Sequence, residues 1–322
     1  MQTRQQDLFE QQGYVVLEGL LDVREDLQPV IDEYHGLLDR LAEQYHEAGA
    51  LSSSWNELSF GKRLAAILRE TKGDFYQHLE ISLPQRGITP ETPMHHGTAV
   101  FSLLRNQKLL DAVEQFIGPE IYSNPVQHIR VKPPEQLLPR RQRNNALVAQ
   151  AIWHQDQGTV REDADNTNLL TVWLPMTDAT EENGCLVVAP RSHKRGLNLH
   201  CEVTSRPGTQ EIPDRLIGSD CLPLPMNAGD VLFMSKLTIH TSLPNRSDNV
   251  RWSFDLRYNP TGQATGRRWF PGFVARSRSN PDSELRDAEA WADSWRAARA
   301  RLADSGDLPR FQRWDPNDPL CA

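Results

Sequence analysis

The sequence predicts a mainly β protein with helical flanks, an antiparallel sandwich or barrel around one core. Two observations carry this. Between about Ile121 and Pro260, short apolar or alternating runs are punctuated by Gly, Pro, Asn and Asp, with no ten-residue helical pattern between them, which excludes a βαβ fold. On either side of that region the apolar residues recur at helical spacing. With no internal repeat and no linker-like stretch, residues 1–322 read as a single domain. Residues 1–120 form a mostly helical N-terminal support, 121–260 the β core, and 261–322 a C-terminal extension with a helix.

In chain order, Tyr14-Val15-Val16-Leu17 after Gly13 is a short β-branched run and predicts one early strand. Leu27, Val30, Ile31, Tyr34, Leu37, Leu38 and Leu41 follow the i, i+3, i+4, i+7 pattern of an amphipathic helix. Leu109, Leu110, Val113 and Phe116 repeat that pattern before Gly118 stops it. Strands are expected at Val126–Val131, Leu147–His154, Leu169–Leu174, Cys185–Ala189, Asp230–Met234 and Val250–Tyr258. The polar insert Pro133–Asn145, with Arg140, Arg141 and Arg143, reads as a solvated loop. Pro281-Asp282-Ser283-Glu284 is expected to open a last helix, with Leu285, Ala288, Trp291, Trp295, Ala298 and Leu302 near one face and the tryptophans packed on the sheet.

Composition narrows the function classes. The formal charge of −8, from 35 basic and 43 acidic residues, lacks the basic stripe that nucleic acid requires. No run approaches 18 uninterrupted apolar residues, and the N-terminus has no apolar leader segment, so neither a membrane nor a nucleic-acid partner is expected and the chain reads as cytoplasmic. Cys185, Cys201, Cys221 and Cys321 form no CxxC pair, so neither a disulfide scaffold nor a thiolate zinc site is expected, and a reducing compartment fits. Cys185 reads as a small buried hydrophobe.

Three elements carry chemistry. In Trp153-His154-Gln155-Asp156-Gln157, a strand would point His154 and Asp156 to the same side, within reach of one metal ion. The same pair also suits a hydrogen-bonded His–Asp couple. His240 lies 84 residues beyond Asp156, far enough for the chain to cross the sandwich and return. Two histidines and a carboxylate make a facial triad that leaves iron positions open for a co-substrate and O₂. Finally, Val250–Tyr258 alternates strictly, placing Arg251, Ser253, Asp255 and Arg257 on one face. That face is either solvated or the interior of a barrel in which Arg251 grips a carboxylate, and its position eleven residues after His240 favours the interior.

Together these residues resemble the phytanoyl-CoA dioxygenase family of Fe(II)- and 2-oxoglutarate-dependent oxygenases. Trp153-His154-Gln155-Asp156 is similar to the family's metal motif, and His240 with Arg251 to its distal histidine and 2-oxoglutarate arginine. Val172-Trp173-Leu174-Pro175-Met176, Glu182-Asn183-Gly184-Cys185-Leu186-Val187-Val188 and Pro190-Arg191-Ser192-His193 resemble its signature stretch. The likeness covers about residues 118–260, with a looser one at Gly13–Val16.

The resemblance implies a double-stranded β-helix (jelly-roll, cupin-like) core, Fe(II) on His154, Asp156 and His240, and Arg251 on the distal carboxylate of 2-oxoglutarate. It also places Ser242 and Trp173 near the co-substrate, with a further contact near Gln127 or Val131. The implied activity is oxidation, in the first place hydroxylation, of a C–H bond of a small-molecule substrate, with release of succinate and CO₂. The presence of Asp156 disfavours halogenation, because family relatives that halogenate lack this carboxylate.

Two other readings stand beside it: a cupin-like metalloenzyme that does not use 2-oxoglutarate, and a non-catalytic sandwich with a bound metal. His95 and His96 are adjacent, would point opposite ways on a strand, and belong in a loop. His193 and Lys194 resemble a structural motif at the barrel rim.

Overall fold

A computed structural model describes residues 3–71, 75–139, 150–203, 209–305, 313–315 and 318–321. Arg140, Arg141 and Arg143 of the polar insert lie outside the described residues, as does the first part of the expected strand Leu147–His154. The strands are β1 (Tyr14–Leu17), β2 (Glu120–Ser123), β3 (His128–Lys132), β4 (Leu170–Pro175), β5 (Leu186–Val188), β6 (Cys201–Glu202), β7 (Gln210–Glu211), β8 (Leu222–Leu224), β9 (Val231–Ser235), β10 (His240–Ser242), β11 (Arg251–Pro260) and β12 (Phe273–Ser277).

Among the described residues, seven strands form one antiparallel sheet in the order β1-β9-β4-β11-β2-β12. β3 lies beside the first half of β11, on the edge that β2 takes further along. β10-β5-β8 form a second sheet and β6-β7 a hairpin. This is a jelly-roll core.

The alternation in β11 sorts the two sides of the large sheet. Trp252, Phe254, Leu256 and Tyr258 point into the main apolar cluster, joined from β4 by Leu170, Val172 and Leu174 and from β9 by Val231 and Phe233. The intervening residues face the barrel interior. Trp173, Leu232 and Met234 meet Leu186 and Val188 of the second sheet there, and Arg251, Asp255 and Arg257 line a cavity. The polar face of β11 is therefore interior, as its position after His240 suggests.

Helices close the outer side: α1 (Arg4–Gln12), α2 (Gln28–Glu47), α3 (Phe60–Glu70), α4 (Thr98–Leu104) and α5 (Gln107–Ile117), then the short α6 (Asp214–Ile217) and α7 (Ala288–Asp304). α2 buries Val30, Tyr34, Leu38 and Leu41, a stripe of the predicted periodicity. Trp252 is the hinge of this packing. It is 2% exposed, stacks on Phe60 at 5.4 Å and meets the edge of Tyr34 at 5.3 Å. Trp252→Ala is expected to cost about 3–5 kcal/mol in chemical denaturation, the usual loss for a large aromatic cut from a core.

Three sequence expectations need correction. The last helix starts at Ala288, where the Asp287 side chain accepts from the amides of Glu289 and Ala290. Pro281–Ser283 is a separate 3-10 turn, because the Leu285 amide bonds to the Val274 carbonyl and keeps the chain beside β12. Trp291 and Trp295 pack chiefly against His96, Phe101 and Phe270 rather than the sheet. Cys201 and Cys321 are joined by a disulfide, which spacing alone did not show, while Cys185 is free and buried. No helix among the described residues is long and apolar enough to cross a membrane.

Candidate metal and co-substrate site

His154 and His240 meet across a two-bond bridge: each backbone amide donates to the other residue's carbonyl, at 3.0 Å both ways. This sets the imidazoles 4.2 Å apart, centre to centre. Sequence alternation placed Asp156 on the same strand face as His154. Instead, Asp156 opens a 3-10 turn, Asp156–Thr159, and reaches the histidines from there. The strand cannot continue because Gln155 is consumed by other contacts. Its amide donates to His200 Nε2 at 3.0 Å, its side-chain Nε2 to the carbonyls of Gly196 and Leu237, and its Oε1 accepts from the Asn198 amide.

Ligand atoms of His154, Asp156 and His240 all lie within 4.8 Å of one another. His154 Nδ1 faces the Ile152 carbonyl at 2.8 Å and His240 Nδ1 the Thr238 carbonyl at 3.0 Å. A carbonyl only accepts, so both Nδ1 atoms carry the proton and both Nε2 lone pairs are left for a metal. Burial, reinforced by neighbouring His240, pushes the His154 imidazole down to about 3, so it is neutral at ordinary pH. Burial alone would raise the Asp156 carboxyl. The Arg257 guanidinium, with smaller contributions from both rings and the Thr171 hydroxyl, outweighs it and holds the carboxyl well below the usual carboxylate range. Two imidazoles and one carboxylate are the donor set of a divalent transition metal, and the residues fit one.

Arg257 is the residue sequence reasoning did not assign. Its Nη2 donates to one Asp156 oxygen and its Nη1 to the Val126 carbonyl at 2.8 Å, while Thr171 Oγ1 donates to the other Asp156 oxygen. The β11 alternation put Arg257 inside. What it could not supply was the pairing with a turn 101 residues earlier.

Arg251 lies at the other end of the same face. It is 1% exposed, with Nη1 donating to Ser253 Oγ at 2.5 Å, the guanidinium 5.6 Å from the Trp173 ring centre, and Nε without a hydrogen-bond partner among the described residues. Burial pushes its guanidinium down to about 10. A buried cation with an open donor and, among the described residues, no carboxylate in contact fits an incoming carboxylate. Ser242 is in the same cavity, its Oγ accepting from Lys132 Nζ and from the Ala151 amide. The expected contacts from the preceding strand shift in register. β3 places Arg130 and Lys132 in the cavity, whereas Val131 is in the apolar core. Gln127 is buried with its Oε1 unpartnered among the described residues but does not line the cavity.

His95 bonds Glu33 and His96 stacks on Trp295, both in the helical layer. His193 contacts the Glu10 carbonyl.

"Phytanoyl-CoA dioxygenase domain-containing protein 1" of Mus musculus is 32% identical over 114 residues, 32% of this chain. The matched stretch is 36% of that protein's length, so the chain spans well under two thirds of this relative. The "1-deoxypentalenic acid 11-beta-hydroxylase" of Streptomyces exfoliatus is 27% identical over 270 residues, covering 79% of this chain and 87% of that protein. Among solved structures, the "non-heme monooxygenase; ThoJ apo" shares the fold at a TM-score of 0.55 and 16% identity, over 94% of this chain and 99% of that one. Residues 9–253 match the family model described as phytanoyl-CoA dioxygenase (PhyH), and the chain belongs to that family.

Proposed function

We propose that the protein is an Fe(II)- and 2-oxoglutarate-dependent dioxygenase that hydroxylates a C–H bond of a small molecule and releases succinate and CO₂. The observation that carries this reading is one cavity with two complementary ends. At one end His154, Asp156 and His240 bring their ligand atoms together, and at the other a buried Arg251 has an open donor and, among the described residues, no carboxylate partner. A structural metal site would leave Arg251 without a use. The names of relatives, a hydroxylase of 1-deoxypentalenic acid among them, support hydroxylation as the outcome.

The bound metal would supply the O₂ redox chemistry. The chain's own residues do the rest. His154 and His240 hold their Nε2 donors in place through their Nδ1–H bonds, and Asp156 is oriented by Arg257 and Thr171. Arg251 and Ser242 position the far carboxylate of 2-oxoglutarate, with Trp173 beside the guanidinium. The apolar walls from Leu186 and Met234 keep water out.

The test is succinate release from 2-oxoglutarate by the purified protein in air. Turnover is expected to vanish after chelation of the metal and to return with Fe(II) but not with Zn(II), which has no redox chemistry. Turnover that survives exhaustive chelation contradicts the assignment.

A further inference from the structure

In the tail beyond the family-matched span, residues 313–315 and 318–321 include contacts that converge on the metal-binding turn. Arg313 forms a two-pronged ion pair with Asp165, at 2.6 and 2.7 Å, and donates to the Gln157 carbonyl at 3.2 Å. The Gln157 side chain donates to the same Asp165 carboxylate at 2.7 Å. Trp314 Nε1–H donates to the Gly158 carbonyl at 2.8 Å. Its ring lies flat on His200, centres 4.8 Å apart and planes 19° from parallel. His200 Nε2 in turn accepts the Gln155 amide at 3.0 Å, its tautomer set by Nδ1–H donation to the Asn198 carbonyl at 2.9 Å. Gly158 is where this layer closes: a Cβ there would lie 2.4 Å from the His200 ring. One residue beyond His200, the Cys201–Cys321 disulfide ties the end of the tail to the same place.

We propose that Arg313 and Trp314 are positioning residues for the metal centre, gripping the backbone just after Asp156 and, through His200, the amide just before it, from a tail that is not part of the matched family region. The inference rests on His154, Asp156 and His240 being the metal ligands. Two points favour positioning over general stability. The contacts fall on Gln157 and Gly158 directly and on the Gln155 amide through His200, all within two residues of one ligand. They also come from side chains outside the main apolar cluster. A donor set held in place before the metal arrives binds it more tightly than one that must be ordered; groups bonded to the ligands themselves typically change metal affinity by about 10–100-fold, and Arg313 and Trp314 act one step behind them, on the ligand's chain neighbours.

The experiment is anaerobic Fe(II) titration against a chromogenic chelator on the full chain, with the melting temperature of the metal-free protein recorded alongside. Trp314→Ala is expected to weaken Fe(II) binding by about tenfold or more. Trp314→Phe, which keeps a ring for His200 and loses the N–H donor, is expected to give a smaller loss, and it serves as the test should the alanine variant not fold. The exposed tail residue Leu320, changed to Ala, is expected to bind Fe(II) as wild type does.

Wild-type affinity in Trp314→Ala, or in Trp314→Phe if only that variant folds, overturns the proposal while leaving the metal site intact. A loss in Leu320→Ala as large as in the Trp314 variants overturns it too, since the effect would then belong to the tail at large. A wild-type chain that binds no Fe(II) overturns the functional reading itself, and this inference with it.

Discussion

Asp156→Ala is expected to abolish 2-oxoglutarate turnover and, separately, to lower the stability of the metal-free protein by about 3–5 kcal/mol. The first effect follows from losing the anionic donor of the triad. The second comes from Arg257, which is 5% exposed and has Asp156 as its ion-pair partner. With the carboxylate gone, a guanidinium is left buried without a counter-charge. The double variant Asp156→Ala with Arg257→Met removes both charges and should recover most of the stability but none of the activity. Comparing the single and double variants by denaturant unfolding, with succinate release as the activity assay, separates the two roles. If Asp156→Ala turned over at the wild-type rate, the triad would be wrong. If the double variant were no more stable than the single one, the Asp156–Arg257 pair would not be the source of the loss.

Arg251→Ala is expected to behave in the opposite way, although it removes an arginine six residues away on the same face of the same strand. Among the described residues Arg251 has no ion-pair partner, and it is held by a serine hydroxyl and an aromatic ring. Its removal should therefore leave thermal stability in the absence of ligands nearly unchanged, since burying an uncompensated charge stabilises nothing. The loss should fall on 2-oxoglutarate. Truncating one partner of a buried, hydrogen-bonded charge pair costs roughly 2–5 kcal/mol, which is about 30- to 5000-fold in apparent affinity. Fe(II) binding should be retained. An unchanged 2-oxoglutarate affinity measured by isothermal titration would remove Arg251 from the co-substrate site.

The contrast between these two arginines shows how much the sequence makes legible. Strict alternation in Val250–Tyr258 is enough to put both side chains inside, because a strand repeats every two residues and the apolar set needs the outer face. Which arginine meets which charge depends on contacts more than a hundred residues apart, and no local pattern encodes them. The same limit explains the other departures. His154 and Asp156 converge as their spacing suggests, but through a bridge and a 3-10 turn, because Gln155 is tied to His200, Asn198, Gly196 and Leu237 and breaks the strand. The strand before the metal motif was recognisable, yet its facing residues are Arg130 and Lys132 rather than Val131, because pairing Lys132 with Arg251 fixes the register. The helix at Ala288 was legible from its tryptophans and alanines, but its start was not, since Asp287 caps it and Pro281–Ser283 forms a separate turn. The tail contacts of Arg313 and Trp314 had no sequence signature at all.

The central claim, one cavity that takes Fe(II) at the triad and 2-oxoglutarate between the metal and Arg251, is tested most directly by anaerobic titration of the Fe(II)-loaded protein with 2-oxoglutarate. The readout is the weak visible charge-transfer band of the chelate, followed in wild type and in His240→Ala. The account predicts a saturable band in wild type and none in His240→Ala. Bound iron in the wild type with no band at saturating 2-oxoglutarate would contradict it, and would point to a cupin-like metalloenzyme or a non-catalytic metal site.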